Sequence, residues 1–358
     1  MKGTYPFAMS SDKRLALLEG TRMPFEGDAH TGTLMAFPCR ADLWRGYLRA
    51  GQLAWVELAR TISHYEPVTM LARASDVDLA ADLCANNTEH PIDIVAMPLD
   101  DSWLRDTAPI YVTAPGRRVA LDFRFNGWGG AYMPYNNDDA IASRISVLRN
   151  EVSVPIEFVL EGGSIIVDGA GTLITTEQCL LHPNRNPTLS RQTIETLLRS
   201  SLGVDTIIWL PFSIDDRDTD GHVDLVAAFI KPGRVLWQGC DDRDDAEHHR
   251  LALSRRCLDG ALDAAGTAIE IVDVPVLPYC EVDGERLPVP YANLYLCNGA
   301  VIVPVTGHPA DDDMLAVIAS AWPDRTVVPI DGRMIAFGGG GPHCATQQIP
   351  AIPPVPAE

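Results

Sequence analysis

Apolar residues along the chain come in short runs that alternate with longer stretches of helical spacing. Thr33-Leu34-Met35-Ala36-Phe37-Pro38 reads as a strand stopped by proline, and Trp44, Leu48, Trp55, Leu58 and Ile62 recur at the spacing of one helix over 41–65. Strands follow at 67–71 and 92–97, with a helix between them that Ser75 would cap and that runs through Leu79 and Leu83. Ile156 to Leu160 is another apolar run. Ile165-Ile166-Val167 and Thr172-Leu173-Ile174 flank the turn dipeptide Asp168-Gly169 and predict a hairpin. Thr188 is the expected cap of a helix through Ile194, Leu197 and Leu198, and 207–210 and 223–230 read as strands. Residues 244–264 and 311–321 read as helices. Leu294-Tyr295-Leu296 and Val301-Ile302-Val303 flank Asn298-Gly299 as a second hairpin, and short strands are expected at 326–330 and 345–349. Residues 1–30 lack pattern and are expected to wrap the surface.

The strand, hairpin and helix unit recurs about every 55 to 70 residues, a period that suggests repeats arranged around a centre. No linker rich in proline or serine divides the chain, so 1–358 reads as one domain.

Composition narrows the possible partners. The chain has 358 residues and a formal net charge of -20, from 48 acidic and 28 basic residues. Such a surface repels nucleic acid and anionic membranes. Eight cysteines occur without a C-x-x-C pair, which argues against a zinc knuckle, a thioredoxin-type site or a disulfide scaffold. No apolar run follows the charged start of the chain and none is long enough to span a bilayer, so a reducing cytoplasm is the expected setting. A homo-oligomer is compatible with this composition but not specified by it.

The chemistry concentrates where apolar strands end. Asp100-Asp101-Ser102-Trp103-Leu104-Arg105-Asp106 packs acids, an arginine and a tryptophan together. Two readings stay open: Arg105 neutralises a neighbouring acid, or a carboxylate and an aromatic wall receive a planar cation. Asn126-Gly127-Trp128-Gly129-Gly130 is a tight turn that also lets a group approach closely. Glu161-Gly162-Gly163 puts a carboxylate at the end of an apolar strand, where it needs a partner. In Gly221-His222-Val223-Asp224, strand spacing would point His222 and Asp224 to one face. They could start a metal site, but no third ligand follows at a recognised spacing. Last comes Gly338-Gly339-Gly340-Gly341-Pro342-His343-Cys344, a thiol on a glycine-rich turn and a candidate nucleophile. On a strand His343 would face away from Cys344, so it is expected to pack or hydrogen-bond rather than act as the base.

Taken together and in this order, W-x-R-D, W-G-G, E-G-G, G-H-x-D and G-G-G-G-x-H-C resemble the agmatine deiminase family of the guanidine-modifying (pentein) superfamily. Supporting stretches are Leu180-Leu181-His182-Pro183-Asn184-Arg185-Asn186-Pro187 and Cys344-Ala345-Thr346-Gln347-Gln348. The resemblance implies a five-bladed, pseudo-symmetric α/β propeller and hydrolysis of a small cationic guanidine to a urea and ammonia, without a cofactor or metal. It implies Cys344 as nucleophile, His222 as acid/base with Glu161 beside it, and Asp106 and Asp224 as holders of the guanidinium. Trp103, Trp128, Arg105 and Gly340 are expected around the substrate. Ala108, Gly127, Gly341 and Pro342 depart from the family's usual pattern and touch the rim, where substrate identity is set. Agmatine is the leading substrate. Alternatives are another guanidine (peptidyl-arginine, an arginine derivative or an alkylguanidine), an amidinotransferase, and a non-catalytic guanidine-binding protein.

Overall fold

Five mixed α/β sheets carry the chain, built by one recipe. The structure, a computed structural model, describes residues 11–85, 89–216 and 218–356. In four sheets an antiparallel hairpin is joined through a crossing helix to a third, parallel strand. They are 110–114 with 117–124 and 153–159, 165–167 with 172–176 and 206–210, 227–231 with 234–238 and 270–274, and 295–297 with 300–305 and 326–331. The remaining sheet joins the two ends of the chain. Its strand 346–350 pairs antiparallel with 30–36, which continues in parallel to 68–72 and 92–96. A small hairpin, 279–282 with 285–288, stands apart.

The helices cover these sheets because their apolar residues fall on one side. In Leu48–Ile62, Trp55, Leu58, Ala59 and Ile62 are fully buried. The single helix expected over 41–65 is two: Ala41–Trp44 ends where Arg45 turns left-handed (φ 43°), and Gly46 (φ 92°) lets the chain restart. Periodicity could not reveal this break, because Trp44 remains buried on the same side. Ser190, not Thr188, caps Arg191–Leu202, accepting from the Thr193 N–H at 3.2 Å, and Gly203 closes that helix in the left-handed region. Asp76 rather than Ser75 precedes Val77–Cys84. Both expected hairpins form, at 165–176 and 295–305.

The unpatterned N-terminal stretch does more than wrap the surface. Its residues 1–10 lie outside the described residues. Ser11–Leu18 is a helix, and Met23, Glu26 and His30 turn inward.

Each crossing from one sheet to the next ends in a short helical turn just before the first strand of the new hairpin. These turns are Leu104–Thr107, Gly162–Ser164, Val223–Leu225, the bend at Pro290–Asn293 and Pro342–Ala345. All five bring a side chain or backbone amide to one place.

Candidate active site

Five chain crossings meet at Cys344. Its turn begins at Pro342, which occupies the first helical position, where the missing N–H leaves nothing unsatisfied and the fixed φ suits the helix. Pro342 therefore starts the element that presents the thiol. The turn also corrects the strand expected here: the strand begins only at Thr346. His343 and Cys344 consequently do not face opposite ways. His343 Nδ1 lies 2.8 Å and Cys344 Sγ 3.5 Å from the same oxygen, Asp224 Oδ2. A Cβ on Gly340 would sit 2.7 Å from the Trp103 ring and 3.0 Å from Cys344 Sγ. A glycine is required there because ring and sulfur already fill the space.

Asp224 also sits differently from expectation. Val223–Leu225 is a 3-10 turn rather than the start of a strand, so alternation does not bring His222 and Asp224 together. They converge because Gly163 has no side chain: a Cβ there would lie 2.5 Å from His222 Nδ1, 2.9 Å from Asp224 Oδ2 and 3.1 Å from Asp106 Oδ1. Asp106, on Leu104–Thr107, accepts from the Gly163 N–H and from Trp128 Nε1, both at 2.9 Å. Trp128 reaches it from a strained turn with φ 51° and ψ 56°, a region that costs a non-glycine residue about 1–2 kcal/mol.

The two aspartates differ in charge environment. Burial, with the charges of Asp224 and Glu161 nearby, pushes the Asp106 carboxyl above its ordinary range despite His222. Burial would do the same to Asp224, but His343 outweighs it and holds Asp224 below. Burial and the charges of Asp224 and Asp106 hold the Cys344 thiol well above its ordinary value. Opposing this are the backbone at Gly341 and then Asn293, whose Nδ2 lies 3.2 Å from Cys344 Sγ and 3.1 Å from the Asp224 carbonyl oxygen. Sequence reasoning missed Asn293, which carries neither charge nor a glycine neighbour. The signal that could have found it is positional: it precedes a hairpin, as Asp106, Asp224 and Cys344 do.

Glu161 and His222 are fully buried. Glu161 Oε1 accepts from Arg185 Nε at 2.6 Å, while Oε2 has no partner among the described residues. Among the described residues neither ring nitrogen of His222 has a hydrogen-bond partner, and Asp106 Oδ1 is 3.8 Å away. Among the described residues Glu161, Cys179 and His222 place one possible metal-ligand atom each within 4.8 Å of one another. The donor set suits a resident metal poorly. Arg185 already neutralises Glu161, and burial holds the Cys179 thiol far above the range in which it would deprotonate.

Arg105 is a correction. Its guanidinium is 2% exposed and turned away from the pocket, to Glu26 at 2.9 Å and Gln348 at 2.8 Å. The narrow pocket beside the sulfur is lined by Trp103, Asp106, Trp128, Tyr132, Asp218 and Cys344 among others, with no Lys or Arg among the described lining residues. Asp218 at its mouth accepts from the Tyr132 hydroxyl.

Residues 22–350 match the family of Porphyromonas-type peptidyl-arginine deiminases. The chain belongs to this family. It is 38% identical to the agmatine deiminase of Ectopseudomonas mendocina over 93% of this chain and 96% of that one. It is also 38% identical to the agmatine deiminase of Pseudomonas aeruginosa, over 96% and 99%. The solved agmatine deiminase of Enterococcus faecalis superposes with a TM-score of 0.89 at 31% identity, covering 93% of this chain and 96% of that one. Among the described residues of this family member, no helix is long and apolar enough to cross a membrane.

Proposed function

We propose that the protein is an agmatine deiminase, hydrolysing agmatine to N-carbamoylputrescine and ammonia, and that residues 1–358 act as one catalytic unit. The five mixed sheets are read as the blades of a five-bladed propeller, with the five crossings meeting on its axis. The observation that carries the activity is the placement of Cys344 Sγ 3.5 Å from Asp224, in a pocket that Asp106 and two tryptophans line.

The chemistry follows from charge. Asp106 and Asp224 bind the N–H edges of the guanidinium and fix its carbon beside the sulfur, with Trp103 and Trp128 as walls. The incoming cation offsets the charges that disfavour the thiolate, so Cys344 ionises as substrate binds. The thiolate adds to the carbon. His222 gives its proton to the departing nitrogen, ammonia leaves, and a covalent thiouronium remains. His222 then takes a proton from water, hydroxide adds, and collapse expels the thiolate and the urea. Glu161, fixed by Arg185, stands beside His222. Agmatine is the favoured substrate because an ammonium tail would meet carboxylates such as Asp218 at the mouth, and among the described residues lining the pocket none is Lys or Arg.

The test is ammonia and urea-product release from agmatine, arginine and arginine-containing peptides. Agmatine is expected to give the highest kcat/KM, and Cys344→Ala no turnover. Faster release from a peptide would overturn the substrate assignment, and full turnover by Cys344→Ala would overturn the mechanism.

A further inference from the structure

Glu26 lies outside every catalytic motif, yet its carboxylate reaches within 3.0 Å of the residue before the nucleophile. His343 Nε2 is 2.9 and 3.0 Å from the two Glu26 oxygens, and His343 Nδ1 is 2.8 Å from Asp224 Oδ2. The ring is 4% exposed and the Glu26 side chain 15%. An ionised carboxylate only accepts, so a ring with a carboxylate at each nitrogen satisfies both only by donating from both. That form is the imidazolium.

The surrounding charges agree. Besides Glu26 and Asp224, the charged group facing this ring is Arg105, 2.9 Å from Glu26, with its Nε donating to the His343 carbonyl at 3.3 Å. Behind Glu26, His30 lies 2.8 Å from the Glu26 carbonyl oxygen and turns its other nitrogen to Glu66. Cys344 follows directly in sequence. Two carboxylates and one guanidinium leave a buried negative charge unless His343 is protonated, and buried unpaired charge is unfavourable by several kcal/mol. Burial and Arg105 disfavour the charged ring, but the two carboxylates outweigh them and raise its pKa.

The consequence reaches the reacting atoms. With Oδ2 of Asp224 held by His343, the carboxylate is fixed so that its buried Oδ1, which has no partner among the described residues, is the oxygen most open to a guanidinium N–H. The positive ring also stands against the same Asp224 oxygen that faces Cys344 Sγ, and so weakens the repulsion between carboxylate and thiolate. We propose that His343 is a positioning residue, held as an imidazolium between Glu26 and Asp224, and that Glu26 through it sets the direction and charge of Asp224 beside the nucleophile. The role given to Asp224 rests on the deiminase reading above; the charge state of His343 does not.

The experiment uses the full chain labelled with 15N-histidine, with the His343 resonances assigned by their loss in His343→Gln. Both His343 nitrogens are expected to carry protons well above the ordinary histidine range of about pH 6.5. In Glu26→Gln the ring should lose its proton at lower pH. The alkaline limb of kcat/KM for agmatine should shift in the same direction, with a loss of about tenfold to hundredfold. His343→Gln keeps a donor for Asp224 without the charge and should fall between wild type and His343→Ala. A neutral His343 ring in the wild-type spectrum at neutral pH would overturn the proposal, and it decides the matter even if the variants do not fold. So would a Glu26→Gln enzyme whose pH limb stays in place. If no guanidine is turned over, the deiminase reading fails while the spectrum still tests the imidazolium.

Discussion

Asn293 offers the sharpest test of how this site ionises its thiol. Its amide nitrogen is 3.2 Å from Cys344 Sγ, and its oxygen is 3.4 Å away. The amide can therefore accept from the thiol and donate to the thiolate, while its second N–H stays on the Asp224 carbonyl. Only the donation to sulfur favours the charged form. A hydrogen bond to a charged group contributes about 1.5–3 kcal/mol, and each 1.4 kcal/mol is tenfold. Asn293→Ala should thus lower the thiolate population, and the rate at which Cys344 is alkylated, about tenfold to hundredfold at a given pH. Asn293→Asp should be worse than Ala despite its matching shape, because it adds a third carboxylate to a thiol already held up by Asp224 and Asp106.

The assay is inactivation by a haloacetamidine, a cationic electrophile shaped like the guanidinium, followed across pH. Cys257 is the one exposed thiol among the cysteines, so the background should carry Cys257→Ser. The expected order of rate is wild type, then Ala, then Asp, with the limb moving to higher pH in the variants. An alkylation profile that does not move in folded Asn293→Ala, or an Asp variant as reactive as wild type, would refute the assignment of Asn293 as the donor.

Three further outcomes follow from the same geometry. Arg185→Met leaves Glu161 buried without its cation, and should destabilise the fold by about 3–5 kcal/mol in thermal or denaturant unfolding; a loss under about 1 kcal/mol would show that the pair does not hold Glu161. Trp128→Phe removes the indole N–H from Asp106 and should raise KM for agmatine about tenfold with a smaller change in kcat, measured by steady-state kinetics. Glu26 is held at about 2 against an ordinary 4.5, as His343 and Arg105 outweigh burial, so its contribution to stability is complete above about pH 4.5 and lost as pH falls towards 2. The raised His343 contributes below 6.5 and loses that contribution as pH rises through its higher folded value, so melting temperature should be highest between these limits and its acid limb flatter in Glu26→Gln.

How much of this was visible in the sequence depends on the kind of signal each residue carries. Asp106, Glu161, His222, Asp224 and Cys344 stand out because each is a reactive group beside glycine or tryptophan at the end of an apolar run, and such groups are rare there by chance. The structure brings them together. The local reasoning fared worse. Strand alternation places His222 and Asp224 on one face and His343 opposite Cys344, but both segments are helical turns. A turn of three or four residues is too short to leave a period, and Pro342, which starts one, reads in isolation as an obstacle to regular structure. Asn293, Arg185 and Glu26 were not legible as site residues. Each acts through a partner more than 20 residues away, and a single chain's pattern does not report such pairings.

The pairings also explain how one pocket tolerates so many acids. Glu161 is matched by Arg185, and Glu26 by Arg105 and His343, which also meets Asp224. Asp106 is matched less closely: an amide N–H and an indole N–H hold it, and the charge of His222 reaches it only from 3.8 Å, beyond hydrogen-bond distance. Burial raises its carboxyl as a result. A site in which every acid was already paired would gain little by admitting a cation. One carboxylate left short of positive charge, next to a thiol that the surrounding acids keep protonated, makes cation binding and thiol ionisation favour each other. The guanidinium relieves Asp106, and the same charge lowers the barrier to forming the thiolate that attacks it. Selectivity for a cation and activation of the nucleophile are then one electrostatic property of the pocket, with its origin in the incompletely matched Asp106.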